Sequence, residues 1–113
     1  MKAKTAKTLS SLVALKRQQA EQAYGSARAD LAAAEAELAA MQAQLRAVPE
    51  HGDDFEAAAL SDRFGHSRRL LALIDAQRER IAAKQLVVAQ RQNELRRAFG
   101  SERALSEIIS DEV

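Results

Sequence analysis

Cysteine is absent from these 113 residues, and proline, glycine and aromatic residues are scarce. Without cysteine the chain has no disulfide, thiolate nucleophile or thiolate metal ligand, which fits a reducing compartment. One proline and four glycines give few points at which a helix must end. No apolar run approaches the roughly 20 residues that cross a bilayer, and no apolar signal region follows Lys2, Lys4 and Lys7. We therefore expect a cytoplasmic protein without direct membrane insertion.

Alanine dominates the apolar content, which is 47% of the chain. Leucine, isoleucine, valine and phenylalanine together supply only about a fifth of the residues, at the edge of the disordered range. Alanine, leucine, glutamine, arginine, glutamate and lysine lose least on entering a helix. The composition therefore predicts one domain, 1–113, built of long thin helices rather than a wide globular core.

The first half of the chain carries the seven-residue apolar repeat of a coiled coil. Its members are Leu31, Leu38 and Leu45, with Ala34, Met41 and Val48 three residues further on. The residues of this repeat form the seam, the line of side chains that faces the other helix. Continued toward the N-terminus, the repeat places Arg17 on the seam and leaves Leu12 and Leu15 outside it. A stutter, an insertion of four residues into the repeat, near residues 16–20 would place both these leucines and the later heptads on the seam. We expect helix 1 over about 9–48.

Pro49 begins the only clear turn signal, about 49–54, because proline cannot continue a helix. A second apolar repeat follows, at Ile74, Ile81, Val88 and Leu95. It predicts helix 2 over about 66–109. Two breaks remain open: Gly65 extends the turn to about 66 if it interrupts the helix, and Gly100 does or does not end helix 2.

Two helices of similar length joined by one short connection pack antiparallel, so the sequence predicts an all-α antiparallel coiled-coil hairpin. The numbers of facing residues should sum to about 117, which places Leu31 near Leu86 and Leu15 near Phe99. The Ala-rich run of helix 1 should permit close approach of the helices. Polar residues on the predicted seam of helix 2, such as Gln77 and Lys84, predict that the two helices pack least tightly halfway along the hairpin.

Catalytic, metal and nucleic-acid functions find little support in these residues. His51 and His66 are the only histidines, and neither has the helical spacing of a zinc site. The acidic residues of the turn lack the ligand pattern of a calcium loop, so we interpret them as capping and solvated groups. Arginines are spread around helix 2 and interleaved with acids, which indicates a solvated face rather than a nucleic-acid surface. We expect no enzyme activity, no cofactor and no metal.

The order of sequence features resembles the FliJ family of flagellar type III export proteins and its injectisome counterparts of the YscO type. The resemblance covers nearly the whole chain. It rests on Leu9, Leu12, Leu15 and Lys16 opening helix 1, the Gln/Glu/Ala stretch through Glu21 and Ala23, the heptads from Leu31 to Leu45, Leu70 and Ile74 opening a basic, Gln-rich helix 2, and Ala98 and Glu102 near its end.

The resemblance implies a cytoplasmic stalk, peripheral at the base of a membrane-embedded export apparatus. Its implied partners are the hexameric export ATPase FliI, the export gate protein FlhA and export chaperones, and we expect the chain alone to be a monomer. For the gate contact the resemblance implies Met41, Gln44, Leu70, Ile74, Gln77 and Ile81. Three of these lie on the predicted seam, where core packing is the alternative.

The resemblance also directs the end remote from the turn into the ATPase ring. The sequence offers a physical reason, since bases cluster there: Lys2, Lys4, Lys7, Lys16, Arg17, Arg96 and Arg97. Leu9, Leu12, Leu15 and Phe99 should pack together beneath these charges. The acidic C-terminal residues offer the same bases internal partners. The alternative to the whole assignment is a self-associating structural coiled-coil adaptor unrelated to secretion.

Overall fold

The computed structural model describes residues 2–47 and 57–111, and within them the chain forms two α-helices. Helix α1 spans Ala3–Ala47 and helix α2 spans Ala57–Asp111. The fold is all-α, with two long helices paired as an antiparallel hairpin, which confirms the predicted fold class. The predicted turn at 49–54 lies outside the described residues.

Both helices begin earlier than the sequence patterns predict. Helix α1 starts at Ala3 instead of about residue 9, since no proline or glycine interrupts this segment, and the Thr8 hydroxyl donates to the Lys4 carbonyl (3.0 Å) within its first turns. Helix α2 starts at Ala57 instead of about 66 and continues through both Gly65 and Gly100. Neither glycine has positive φ. An interior glycine costs a helix only about 1 kcal/mol, too little to end one this long.

The seam of each helix follows alternating steps of four and three residues without a break. On α1 every residue at these steps from Val13 to Leu45 is buried or partly buried, and on α2 the same holds from Leu70 to Ile109. The predicted stutter near residues 16–20 is therefore wrong. Arg17 occupies the seam position itself, and Leu12 and Leu15 are 52% and 49% exposed.

The chain divides into two compact units. The turn-side unit comprises Asp30–Lys84, and the terminal unit combines Met1–Ala29 with Gln85–Val113. Each unit pairs a segment of α1 with a segment of α2.

The turn-side unit contains most of the buried residues: Ala34, Leu70, Ile74, Gln77 and Ile81. Gln77, expected to mark the loosest part of the hairpin, is the most buried of them at 1% exposure. That expectation was wrong at Gln77, because its amide finds hydrogen-bond partners inside the seam.

The Ala-rich run of α1 contributes less to the interface than predicted. Within it only Ala34 is buried, and the other alanines are exposed: Ala32, Ala33, Ala36, Ala39, Ala40 and Ala43. These exposed alanines support the helix through propensity rather than through packing.

In the terminal unit the seam is closed by a charged pair, with Arg17 Nε 2.7 Å from Glu102 Oε2. The numbers 17 and 102 sum to 119, near the predicted register, whereas 34 and 77, joined by a hydrogen bond in the turn-side unit, sum to 111. Leu86 is 69% exposed, so it is not a seam partner of Leu31.

Candidate protein-binding surfaces

The basic residues predicted to enter an ATPase ring all lie in the terminal unit, and all but one are exposed. The exposed set is Lys2, Lys4, Lys7, Lys16, Arg96 and Arg97. Arg17 is the exception, with a side chain that is only 22% exposed.

Arg17 is held by groups of its own chain. Its guanidinium lies 2.7 Å from Glu102 on α2, 2.9 Å from Glu21 one turn along α1, and 5.9 Å from the centre of the Phe99 ring. The hydrogen bond to Glu102, then that to Glu21, raises the pKa of Arg17. Arg17 therefore remains cationic across the working pH range and acts as a seam residue. Its pairing with Glu102 is the internal partnership expected of the acidic C-terminal residues.

Two of the four arginines of α2 in this unit also have acids close at hand. Arg91 lies 3.0 Å from Glu94, and Arg103 lies 3.4 Å from Glu107. Among the described residues every ion pair uses arginine rather than lysine. The lysines of this unit, together with Arg96 and Arg97, are exposed and make no ion pair within the described residues.

The predicted hydrophobic cluster beneath these charges does not form. Leu12, Leu15 and Phe99 are each about half exposed, and Leu9 is 36% exposed. The reason is the uninterrupted seam: Val13 and Arg17 point between the helices, so the leucines on either side of them point away. These side chains are therefore exposed to solvent instead of forming a core.

Most of the residues implied as a gate contact are interior. Leu70, Ile74, Gln77 and Ile81 are 4%, 2%, 1% and 9% exposed in the turn-side unit. Core packing, the alternative given for the three apolar ones, is what the structure shows. Gln44 is exposed and Met41 is partly buried on α1, so a partner reaches only these two while the helices stay paired. The gate contact remains a prediction for Gln44 and Met41.

Large apolar side chains are plentiful on the surface of both units. In the turn-side unit the exposed ones are Phe64, Leu71 and Leu73, at 64%, 49% and 53%. In the terminal unit they are Leu9, Leu12, Leu15, Leu86, Val87, Phe99 and Ile108. Single exposed apolar side chains are normal on a protein surface, whereas those that lie together in one patch commonly mark binding sites for other proteins.

An open groove of about 380 Å³ lies between the helices of the terminal unit. It is lined by Ser10, Val13, Ala14, Glu102, Leu105, Ser106 and Ile109. Three of these side chains, on Ser10, Ala14 and Ser106, are too short to fill the space between the helices. These small residues are visible in the sequence, but the heptad repeat of neither helix distinguishes them from the other small residues of the chain.

The described residues contain no group of three His, Asp or Glu side chains arranged to hold a metal ion. Neither helix, over its described length, combines the length and apolar character needed to span a membrane. No family model, curated protein or solved structure matches this chain.

Proposed function

We propose that this chain is a non-enzymatic stalk or adaptor that binds other proteins along the surface of its helical hairpin. The observation that carries the proposal is the balance of apolar side chains. Within the described chain ten large hydrophobic residues are exposed, whereas the buried hydrophobic residues number five, two of them alanines. So many exposed side chains gain free energy when a partner covers them.

Helical partners fit this surface best. Exposed residues three or four apart, such as Leu9 and Leu12, present one apolar stripe to a neighbouring helix. The groove beside Ala14 offers room for a bulky side chain of that neighbour. Neither feature supplies the enclosed, water-excluding site that catalysis requires.

The resemblance to the FliJ and YscO families gives the proposal its specific setting, a type III export apparatus. In that setting the exposed lysines of the terminal unit, with Arg96 and Arg97, bind the export ATPase ring, and Met41 with Gln44 binds the export gate. Arg17 leaves the ring-binding set because Glu102 and Glu21 already hold it. The four buried members leave the gate-binding set because the opposite helix covers them.

Two charge variants of the full chain separate these contacts. The first replaces Lys2, Lys4, Lys7 and Lys16 by glutamate, and the second replaces Met41 and Gln44 by glutamate. Each is titrated against the purified export ATPase and against the cytoplasmic part of the export gate from the same genome, with helicity checked by circular dichroism. The lysine variant should lose binding to the ATPase and stimulation of ATP hydrolysis while keeping the gate, and the second variant should do the reverse.

Salt provides an internal check on the ATPase contact. Exposed charges more than about 8 Å apart are largely screened at physiological ionic strength, so lysine-dependent binding should weaken as salt rises. Undiminished ATPase binding by the lysine variant contradicts the role of the lysines, whereas no binding of either protein by the wild-type chain contradicts the type III assignment.

A self-associating coiled-coil adaptor is the second candidate, and the same exposed side chains favour it. A second copy would cover them in a four-helix arrangement. Light scattering over a range of concentrations distinguishes the two candidates. The stalk is a monomer throughout, whereas the adaptor is a dimer or larger, and replacing Leu12 and Leu15 by glutamate would then return it to a monomer.

A further inference from the structure

Gln77 is the most buried side chain in the described part of the chain, and its amide group is fully engaged. Its nitrogen Nε2 donates to the Ala34 carbonyl (2.9 Å) and to Glu37 Oε2 (3.1 Å) on the opposite helix. Its oxygen Oε1 accepts from Arg80 Nη1 (3.2 Å). A polar group this deeply buried is tolerated because both amide protons and the oxygen have partners.

The contact with Ala34 depends on a small residue. The carbonyl of Ala34 belongs to an uninterrupted helix, and it accepts a hydrogen bond through its second lone pair. The methyl side chain of Ala34 leaves this carbonyl accessible, and Glu37, three residues further on, lies on the same side of the helix. Gln77 therefore requires an alanine followed at the third position by a carboxylate of suitable length.

The apolar residues alone do not fix the register of this unit. Leu31, Leu38 and Leu45 are seven residues apart, so sliding the helices by one heptad exchanges one leucine for the next. A slide in one direction brings Gln77 opposite Met41, whose long side chain shields the backbone. A slide in the other brings it opposite Ala27, where the carboxylate three residues on belongs to the shorter Asp30.

We propose that Gln77, with Ala34, Glu37 and Arg80, is the register lock of the hairpin. Its amide is satisfied in one alignment of the two helices and left without a full set of partners in the alignments one heptad away. An unsatisfied buried amide is unfavourable, whereas the apolar seam tolerates the slide. The lock thereby determines which side chains of the two helices face one another in this unit, whatever partner the hairpin binds.

A buried polar lock reduces stability while it increases specificity, as a single buried asparagine does in coiled coils. Gln77→Leu therefore should raise the melting temperature and, at the same time, relax the register. Lys84→Leu is the matched control, because Lys84 is also a polar seam residue of α2, one heptad after Gln77, and lies outside the network. Both changes place a leucine on the seam, and only one removes the lock.

The test uses spin labels at Glu35 and Arg78, two exposed positions of the turn-side unit, in the full chain. The parent chain and Lys84→Leu should each give one narrow distance distribution. Gln77→Leu should add a second population displaced by up to about 10 Å, the rise of one heptad. The lock is refuted if Gln77→Leu keeps the single parental distance, if Lys84→Leu broadens it equally, or if Gln77→Leu lowers the melting temperature.

Discussion

The two units of this chain solve the same packing problem with different residues. In the turn-side unit isoleucine, leucine and a satisfied glutamine fill the seam, and Ile74 is 2% exposed. Among the described residues of the terminal unit only Ala27 is buried, and the seam there is closed by Arg17 with Glu102 beside an unfilled groove. The same heptad spacing therefore supports a well-packed interface in one unit and a partly open one in the other.

The largest difference should come from trimming one apolar side chain in each unit. Ile74→Ala removes a buried side chain from the turn-side unit and should lower the free energy of unfolding by about 2–5 kcal/mol. Leu15→Ala removes a half-exposed side chain from the terminal unit and should change it by less than about 0.5 kcal/mol. Urea denaturation followed by circular dichroism measures both, and equal losses would contradict the difference in packing.

Filling the groove should strengthen the terminal unit. Ser106→Leu introduces an apolar side chain at the groove wall and should raise the free energy of unfolding by about 1 kcal/mol, since part of the new surface is buried. Ser101→Leu, an exposed position of the same helix outside the groove lining, is the control. If the two leucines have the same effect in denaturation experiments, the groove does not accept apolar side chains.

Helix propensity, by contrast, should act alike in both units. Gly65 lies in the turn-side unit and Gly100 in the terminal unit, both inside α2, and a Cβ added at either meets no atom within 4 Å apart from its chain neighbours and the backbone of its own helical turn. Gly65→Ala and Gly100→Ala should each raise the free energy of unfolding by about 0.5–1 kcal/mol because alanine is the better helix former. A loss of stability in either variant would reveal a tertiary constraint at that glycine.

The smallest expected effect concerns the charged pair of the terminal unit. Arg17→Gln should lower the melting temperature slightly, and Arg96→Gln, at an exposed position, should not. Because the pKa of Arg17 is raised, its contribution is present below the ordinary arginine pKa and is lost only as pH rises through the raised value, above the working range.

Salt and a double variant test the same pair further. High salt should reduce the difference between the parent chain and Arg17→Gln. The double variant Arg17→Gln with Glu102→Gln should be no less stable than the Arg17→Gln chain. Additive losses would show that the two residues act independently.

Much of the architecture follows from the sequence, because helix propensity and heptad spacing depend only on nearby residues of one helix and both favour the same structure. The all-α hairpin and the seam of both helices from Leu31 and Leu70 onward were predictable in this way. The stutter was wrong because apolarity alone assigned Leu12 and Leu15 to the core. Arg17 occupies the seam instead, since a charge opposite on α2 neutralises it, and that pairing depends on the register rather than on either helix alone.

The same reason explains the misjudged role of Gln77. Its polarity suggested a weak point, yet its hydrogen bonds to Ala34 and Glu37 exist only because those residues face it. The groove beside Ser106 was missed because a cavity depends on the sizes of facing side chains. Binding residues for partners lie beyond what spacing reveals, and the predicted gate set shows this, since its buried members fit a seam equally well.

Hydrogen exchange of the full chain tests the central claim, that the helices are tightly packed in the turn-side unit and partly open in the terminal unit. Amides of α2 over 70–81, around the buried residues Leu70, Ile74, Gln77 and Ile81, should exchange at least about tenfold more slowly than those over 99–109, where the helix borders the groove. Equal protection of the two segments, or faster exchange over 70–81, would contradict the account.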